Sequence, residues 1–178
     1  KIHGDIDHVR NMFQNGTVVI LPTHLSNLDS ILIGYALDSV VGLPAFAYGA
    51  GLNLYESEIF AFYMTRLGAY RVDRRKKNPI YLDSLKIMSQ VMLERGTNSL
   101  FFPGGTRSRS GEIERELKYG LLNSLLSAQR SIYEHGGNQK IIVVPLILGY
   151  HCTLEAQSLI SGYLKSTGDE KYVSAARK

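Results

Sequence analysis

The sequence predicts an α/β domain: a largely parallel central sheet flanked by helices. Three observations predict it. Short β-branched runs alternate along the chain with segments of helical apolar spacing. Glycine or proline bounds most of these segments. The 178 residues suffice for one compact domain with a sizeable core and are few for two. Residues 1–178 are therefore read as a single domain.

The elements follow in order. "GTVVILP", 16–22, is a buried strand between Gly and Pro. The stretch 26–40 places apolar residues at 28, 31, 32, 35 and 36, the spacing of one helix face. A strand is expected over 44–51, a helix over 56–68 stopped by Gly68, and a strand over 69–74. The helix over 78–96 has Pro79 where a first turn tolerates it and Gly96 at its end. "SLFFP", 99–103, is a strand that runs into the loop "GGTRSRSGE". A helix over 116–137 ends on Gly-Gly, and 140–150 reads as a long buried strand interrupted by Pro145. The tail from 153 is weakly helical with a polar end.

Composition narrows the class. Hydrophobic residues make up 44% and charged residues 20%, which suits a folded globule. The net charge of +4 suits an anionic ligand or a membrane surface as well as nucleic acid. The single cysteine, Cys152, excludes an internal disulfide and fits a reducing compartment. No run reaches the roughly 18–20 apolar residues of a spanning helix. The chain opens on Lys1 and closes on "SAARK", so it is expected to be a fragment of a longer one.

In "PTHLSNLDSIL", 22–32, His24 precedes a helix start and Asp29 follows five positions later. With Ser26 as N-cap, Asp29 completes an S-x-x-D capping box. It can equally orient an imidazole: if His24 lies in the loop before the cap, its ring can fold over the first turn. Asp29 then takes the Nδ1 proton and Nε2 is left as a general base. This segment alone weighs the two readings evenly. There is no G-x-S-x-G motif, so any hydroxyl that His24 activates belongs to a substrate.

"FFPGGTRSRSGE" is the second informative stretch. Alternate residues of an extended backbone share a face, so Arg107 and Arg109 point together. The glycines before them, Gly104 and Gly105, let backbone amides approach a ligand closely, and Ser108 and Ser110 add hydroxyls, as a phosphate site requires. A solvated basic turn is the plain alternative. A third basic cluster, "RVDRRKK", places Arg74 near the same rim and leaves Lys76 and Lys77 to solvent. His24 and the arginine loop both follow strand ends, where ligands of open α/β sheets gather.

Together these residues resemble the glycerolipid acyltransferase family, the glycerol-3-phosphate and lysophosphatidic acid acyltransferases of H-x4-D type. Four blocks appear in the family's order: His24 to Asp29 with Ser26 between; "GAYRVDR" with Gly68, Val72 and Arg74; "PGGTRSR"; and "IIVVPL" with Pro145. "GAGLNL" at 49–54 is similar to the membrane-bound bacterial glycerol-3-phosphate acyltransferase branch. Two positions depart from the pattern. Gly104 stands where the family has a glutamate tied to acceptor handling or loop order, with Glu112 eight residues on as a candidate substitute. Leu25 replaces a polar residue after the histidine.

The resemblance implies acyl transfer in phospholipid synthesis. His24, oriented by Asp29, would deprotonate a hydroxyl of glycerol-3-phosphate or a lysophospholipid. That oxygen would attack the thioester of acyl-CoA or acyl carrier protein. Arg74, Gly105, Thr106, Arg107, Ser108 and Arg109 would hold the acceptor's phosphate. It implies no metal or other cofactor, no nucleic-acid partner, and a place at the cytoplasmic face of a membrane. Two rivals stay open: a catalytically silent phospholipid-binding module, and a thioesterase or phosphoesterase using the same histidine.

Overall fold

The computed structural model describes residues 2–26, 28–44, 46–108 and 116–166. In chain order the elements are α1 (Ile6–Asn15), β1 (Gly16–Pro22), α2 (Asp29–Ala36), β2 (Ala47–Gly51), α3 (Glu58–Arg66), β3 (Ala69–Val72), α4 (Pro79–Glu94), β4 (Ser99–Leu100), α5 (Tyr119–Glu134), β5 (Lys140–Leu146) and α6 (Ala156–Ser166). A π-helical turn, Leu37–Val41, prolongs α2, and a 3-10 turn, Leu52–Tyr55, follows β2.

The five strands form one sheet of order β3-β2-β4-β1-β5. Every pairing in it is parallel. Alternation along β1 divides the core between two faces. Val18 and Ile20 pack with Ile33 and Leu37 after β1, Met64 of α3 and the flanking Met12 and Phe13 of α1. Val19 packs on the other face with Leu93 of α4 and Leu125 and Ala128 of α5.

This order creates a topological switch point. From β1 the chain leaves by α2 on one face and crosses β4 to reach β2. From β4 it leaves by α5 on the opposite face and crosses β1 to reach β5. The two connections diverge at the carboxyl ends of adjacent strands, and a crevice opens between them. The loops carrying His24 and Arg107 are the two that leave there.

The expected elements are present, with four differences. Residues 6–15 form a helix that was not among the expected elements, although Ile6, Val9, Met12 and Phe13 lie at helical spacing. Asp5 caps it by accepting from the His8 amide at 2.9 Å, and it buries no residue completely. The helix expected from 26 begins at Asp29. Strand β4 pairs over two residues, Ser99 and Leu100, and the Phe101 amide still donates to the Ile20 carbonyl at 3.2 Å. Strand β5 is shorter than expected and lies at a sheet edge, partly exposed. Pro145 sits in register with Leu21 inside it without interrupting it, since an edge strand needs no N–H on its outer side.

Gly68 sets the entry to β3. Its φ is +80°, and a Cβ there would lie 2.8 Å from the Phe46 carbonyl oxygen. Gly68→Ala is therefore expected to lower stability by at least about 1–2 kcal/mol, the left-handed penalty before any clash. A fall in the urea midpoint measures it.

Candidate active site

In the His24–Asp29 segment the ring and the carboxylate meet, whereas Ser26 is not the N-cap of α2. The Leu28 amide donates to Ser26 Oγ at 3.1 Å, and the Ser26 amide donates to Asp29 Oδ2 at 3.0 Å. This is half of the expected capping box: the carboxylate reaches back to the Ser26 amide, but the Ser26 hydroxyl oxygen accepts from the Leu28 amide and not from that of Asp29, and α2 has Leu28 as its N-cap with no side-chain cap bond. The same Oδ2 also accepts from the Leu25 amide at 2.7 Å and faces His24 Nδ1 at 2.8 Å. Asp29 has no exposed surface. Its other oxygen, Oδ1, accepts from the Tyr150 hydroxyl at 2.5 Å.

These donors determine the charge states. Burial by itself would raise the Asp29 carboxyl. The bonds from His24, Tyr150, Ser26 and Leu25 outweigh it and hold the group below the usual carboxylate range. Asp29 is thus an anion that only accepts, so Nδ1 of His24 carries the proton. Nε2 remains as the nitrogen available to a ligand. Burial, then the Asp29 bond and the charges of Asp29 and Glu155, push the Tyr150 hydroxyl well above its ordinary value, so it stays a donor. The His24 ring stacks on Phe102, with centroids 3.9 Å apart and planes 20° apart.

The arginine loop is fastened to the same place. The Ser108 amide donates to the His24 carbonyl at 2.7 Å, and the Lys118 amide to the Pro103 carbonyl at 2.7 Å. Gly105 turns the loop with φ +73°. His24, Arg74, Phe102, Thr106 and Arg107 all line one cleft of about 240 Å³, which Leu159 of α6 also borders. A second, mostly apolar cavity of about 520 Å³ shares Tyr48, Gly49, Arg74 and Phe102 with that cleft.

The structure therefore brings together His24, Asp29, Arg74, Thr106 and Arg107. Gly105 lines the apolar cavity instead, and Ser108 borders a third hollow beside Tyr150. Arg109, with Ser110 and Glu112, lies outside the described residues. Lys76 and Lys77 are exposed, with Lys76 over the Tyr81 ring, as their reading as solvated residues requires. Sequence reasoning missed Tyr150 and Glu155. Glu155 accepts from the Ser26 hydroxyl at 2.8 and 3.0 Å and lies 3.7 Å from Arg107. It is this carboxylate that approaches the loop where Gly104 departs from the expected glutamate. Tyr150 lies 121 positions from Asp29 and Glu155 129 from Ser26, and no spacing rule links them.

An α/β sheet whose switch-point crevice holds an imidazole–carboxylate pair beside guanidinium groups is suited to base-assisted group transfer onto an anionic substrate. The chain belongs to the Acyltransferase family, whose family model matches residues 4–149. A glycerol-3-phosphate acyltransferase of Ectopseudomonas mendocina is 29% identical over 96% of this chain and 20% of its own length. That of Haemophilus ducreyi is 30% identical over 85% of this chain and 18% of its own. The chain thus spans about a fifth of the length of these relatives. The solved 1-acyl-sn-glycerophosphate (LPA) acyltransferase PlsC from Thermotoga maritima aligns at a TM-score of 0.46 and 15% identity, over 95% of this chain and 81% of that one.

Proposed function

We propose that this segment is the catalytic domain of a glycerol-3-phosphate-type acyltransferase. It moves a fatty acyl group from the thioester of acyl-CoA or acyl carrier protein to a hydroxyl of glycerol-3-phosphate or a lysophospholipid. The observation that carries the reading is the His24–Asp29 bond at the edge of a cleft that Arg74, Thr106 and Arg107 also line.

Proton transfer, acceptor binding and the alkyl chain each have a group on hand. His24 Nε2 takes the proton of the acceptor hydroxyl, and Asp29 stabilises the imidazolium. The oxygen bonds to the thioester carbonyl carbon. The tetrahedral oxyanion collapses, the C–S bond breaks, and the imidazolium returns its proton to the departing thiolate. Arg107, with Arg74 and Thr106, holds the acceptor phosphate and fixes the hydroxyl beside the base. The apolar cavity, with Val72, Leu82, Leu85, Leu117 and Leu121 on its walls, has the lining an alkyl chain needs.

On this reading the reaction takes place at the cytoplasmic face of a membrane. Exposed Ile31, Leu32, Tyr35, Ile59, Phe62 and Tyr63 on α2 and α3 support contact with lipid. Among the described residues no helix is long and apolar enough to cross a bilayer.

Thiol release from acyl-CoA, with and without an acceptor, tests the function. An acyltransferase requires the acceptor alcohol, whereas release without it would mark a hydrolase, and no release with any acceptor would mark a binding module. Arg107→Ala is expected to raise the acceptor KM about 10-fold or more, the loss of a charge-assisted hydrogen bond. The donor KM should stay unchanged. An unchanged acceptor KM would remove Arg107 from the phosphate site.

A further inference from the structure

The segment between β5 and α6, 147–155, is not an inert exit from the sheet. Tyr150 and Glu155 both turn back onto the loop after β1, and each touches a different part of the machinery. Tyr150 donates to the Asp29 oxygen that His24 does not use, so the carboxylate is gripped from both ends. With Oδ2 held by His24 and two amides and Oδ1 held by Tyr150, the carboxylate plane has no free rotation left. Glu155 spans two loops. Its oxygens accept from the hydroxyl of Ser26, a residue almost wholly buried, while one of them lies 3.7 Å from the Arg107 guanidinium.

We propose that Tyr150 and Glu155 are positioning residues for the acyl transfer. Tyr150 keeps Asp29 aligned on Nδ1 of His24, and Glu155 holds Arg107 over the cleft by anchoring it to the turn that precedes α2. The proposal rests on the acyltransferase reading. The two residues act on different steps. Asp29 works in the proton transfer, so Tyr150 should affect turnover. Arg107 works on the acceptor, so Glu155 should affect acceptor binding: a guanidinium already held in place loses less side-chain freedom on meeting a phosphate.

The test is kinetic, on Tyr150→Phe and Glu155→Gln of the purified protein. Both changes preserve shape, and in Glu155→Gln the side-chain amide oxygen can still accept from the Ser26 hydroxyl. Tyr150→Phe is expected to lower kcat about 10–100-fold, the size typical of partners that orient a working group, with the acceptor KM within about twofold of the parent. Without the Tyr150 donor, the Asp29 charge bears more fully on the imidazolium. The acid limb of the pH–rate profile should therefore move to higher pH. The other charges bordering the pair, Glu155, Arg107 and Arg74, are unchanged in that variant. Glu155→Gln is expected to raise the acceptor KM about tenfold and leave the donor KM unchanged. Parental kcat in Tyr150→Phe, or equal shifts of both KM values in Glu155→Gln, would overturn the proposal.

A second readout needs no turnover. The pH at which His24 reaches half-maximal carbethoxylation by diethyl pyrocarbonate, followed by peptide mass, should rise in Tyr150→Phe. If the parent protein transfers no acyl group, the functional reading fails. The carbethoxylation profile still decides whether Tyr150 governs His24, and an unshifted profile would refute its role.

Discussion

His24→Ala is expected to lower kcat by about 10²–10⁴-fold, the contribution of a positioned general base. The loss should fall on kcat and not on the acceptor KM, because the proposed phosphate ligands, Arg74 and Arg107, are separate from the ring. The cooperative urea transition should be retained. Removing the ring forfeits one hydrogen bond and the stack on Phe102, but Asp29 keeps its bonds to two amides and Tyr150. Thiol release in the presence of glycerol-3-phosphate measures the effect. A variant that turns over like the parent would place the base elsewhere.

Asp29→Ala is expected to combine the two largest losses, one in activity and one in stability. The change strands His24 Nδ1, two backbone amides and the Tyr150 hydroxyl at once. Each donor left without a partner costs about 1–3 kcal/mol where water cannot reach it. Partial rehydration limits the sum, and a loss of about 3–5 kcal/mol is expected, as for other broken buried networks. Asp29→Asn separates the roles. Its amide oxygen can still receive the two backbone N–H groups, so it should be less destabilised, but it lacks the charge that supports an imidazolium and should still lose turnover.

The sign of the pH dependence follows from the same bonds. The folded carboxyl lies below its unfolded value near 3.8. Its contribution is therefore complete above that value and disappears as pH falls through the lower folded one. The stability gap between parent and Asp29→Asn should be full at pH 7 and narrow as pH falls below about 4. Urea midpoints at pH 7 and pH 3 measure the gap, and a gap independent of pH would contradict a depressed Asp29.

Much of this site was legible in residue order because its parts are local. Ser26, the imidazole and the carboxylate lie within six residues, so spacing rules reach them all. Strand β1 was legible to the residue, since Gly16 and Pro22 bound an unbroken apolar run. The capping and orienting roles of Asp29 looked like alternatives, yet one oxygen holds both the ring and the turn that precedes α2. Nothing in an S-x-x-D pattern tells how many donors converge on its carboxylate.

Other features depend on the folded whole. Strand β5 reads as buried because both its flanks are apolar, yet sheet order leaves it at an edge, and order is not written in hydropathy. Helix α1 is different: it packs Met12 and Phe13 against the core, and Ile6, Val9, Met12 and Phe13 do fall at helical spacing, so this helix was legible although not among the expected elements. Tyr150 and Glu155 lie 121 and 129 positions from Asp29 and Ser26, and only tertiary packing brings them back.

That distance has a consequence for biosynthesis. Chains are made from the amino end, and domains fold as their segments emerge. A nascent chain that has completed β1, α2 and the arginine loop already carries the proposed base, its carboxylate and the proposed phosphate ligands. It lacks the tyrosine and the glutamate that steady them until the last strand has joined the edge of the sheet. On the proposed reading, ribosome-bound intermediates carry the reactive groups without their full support, and competence arrives as one late event.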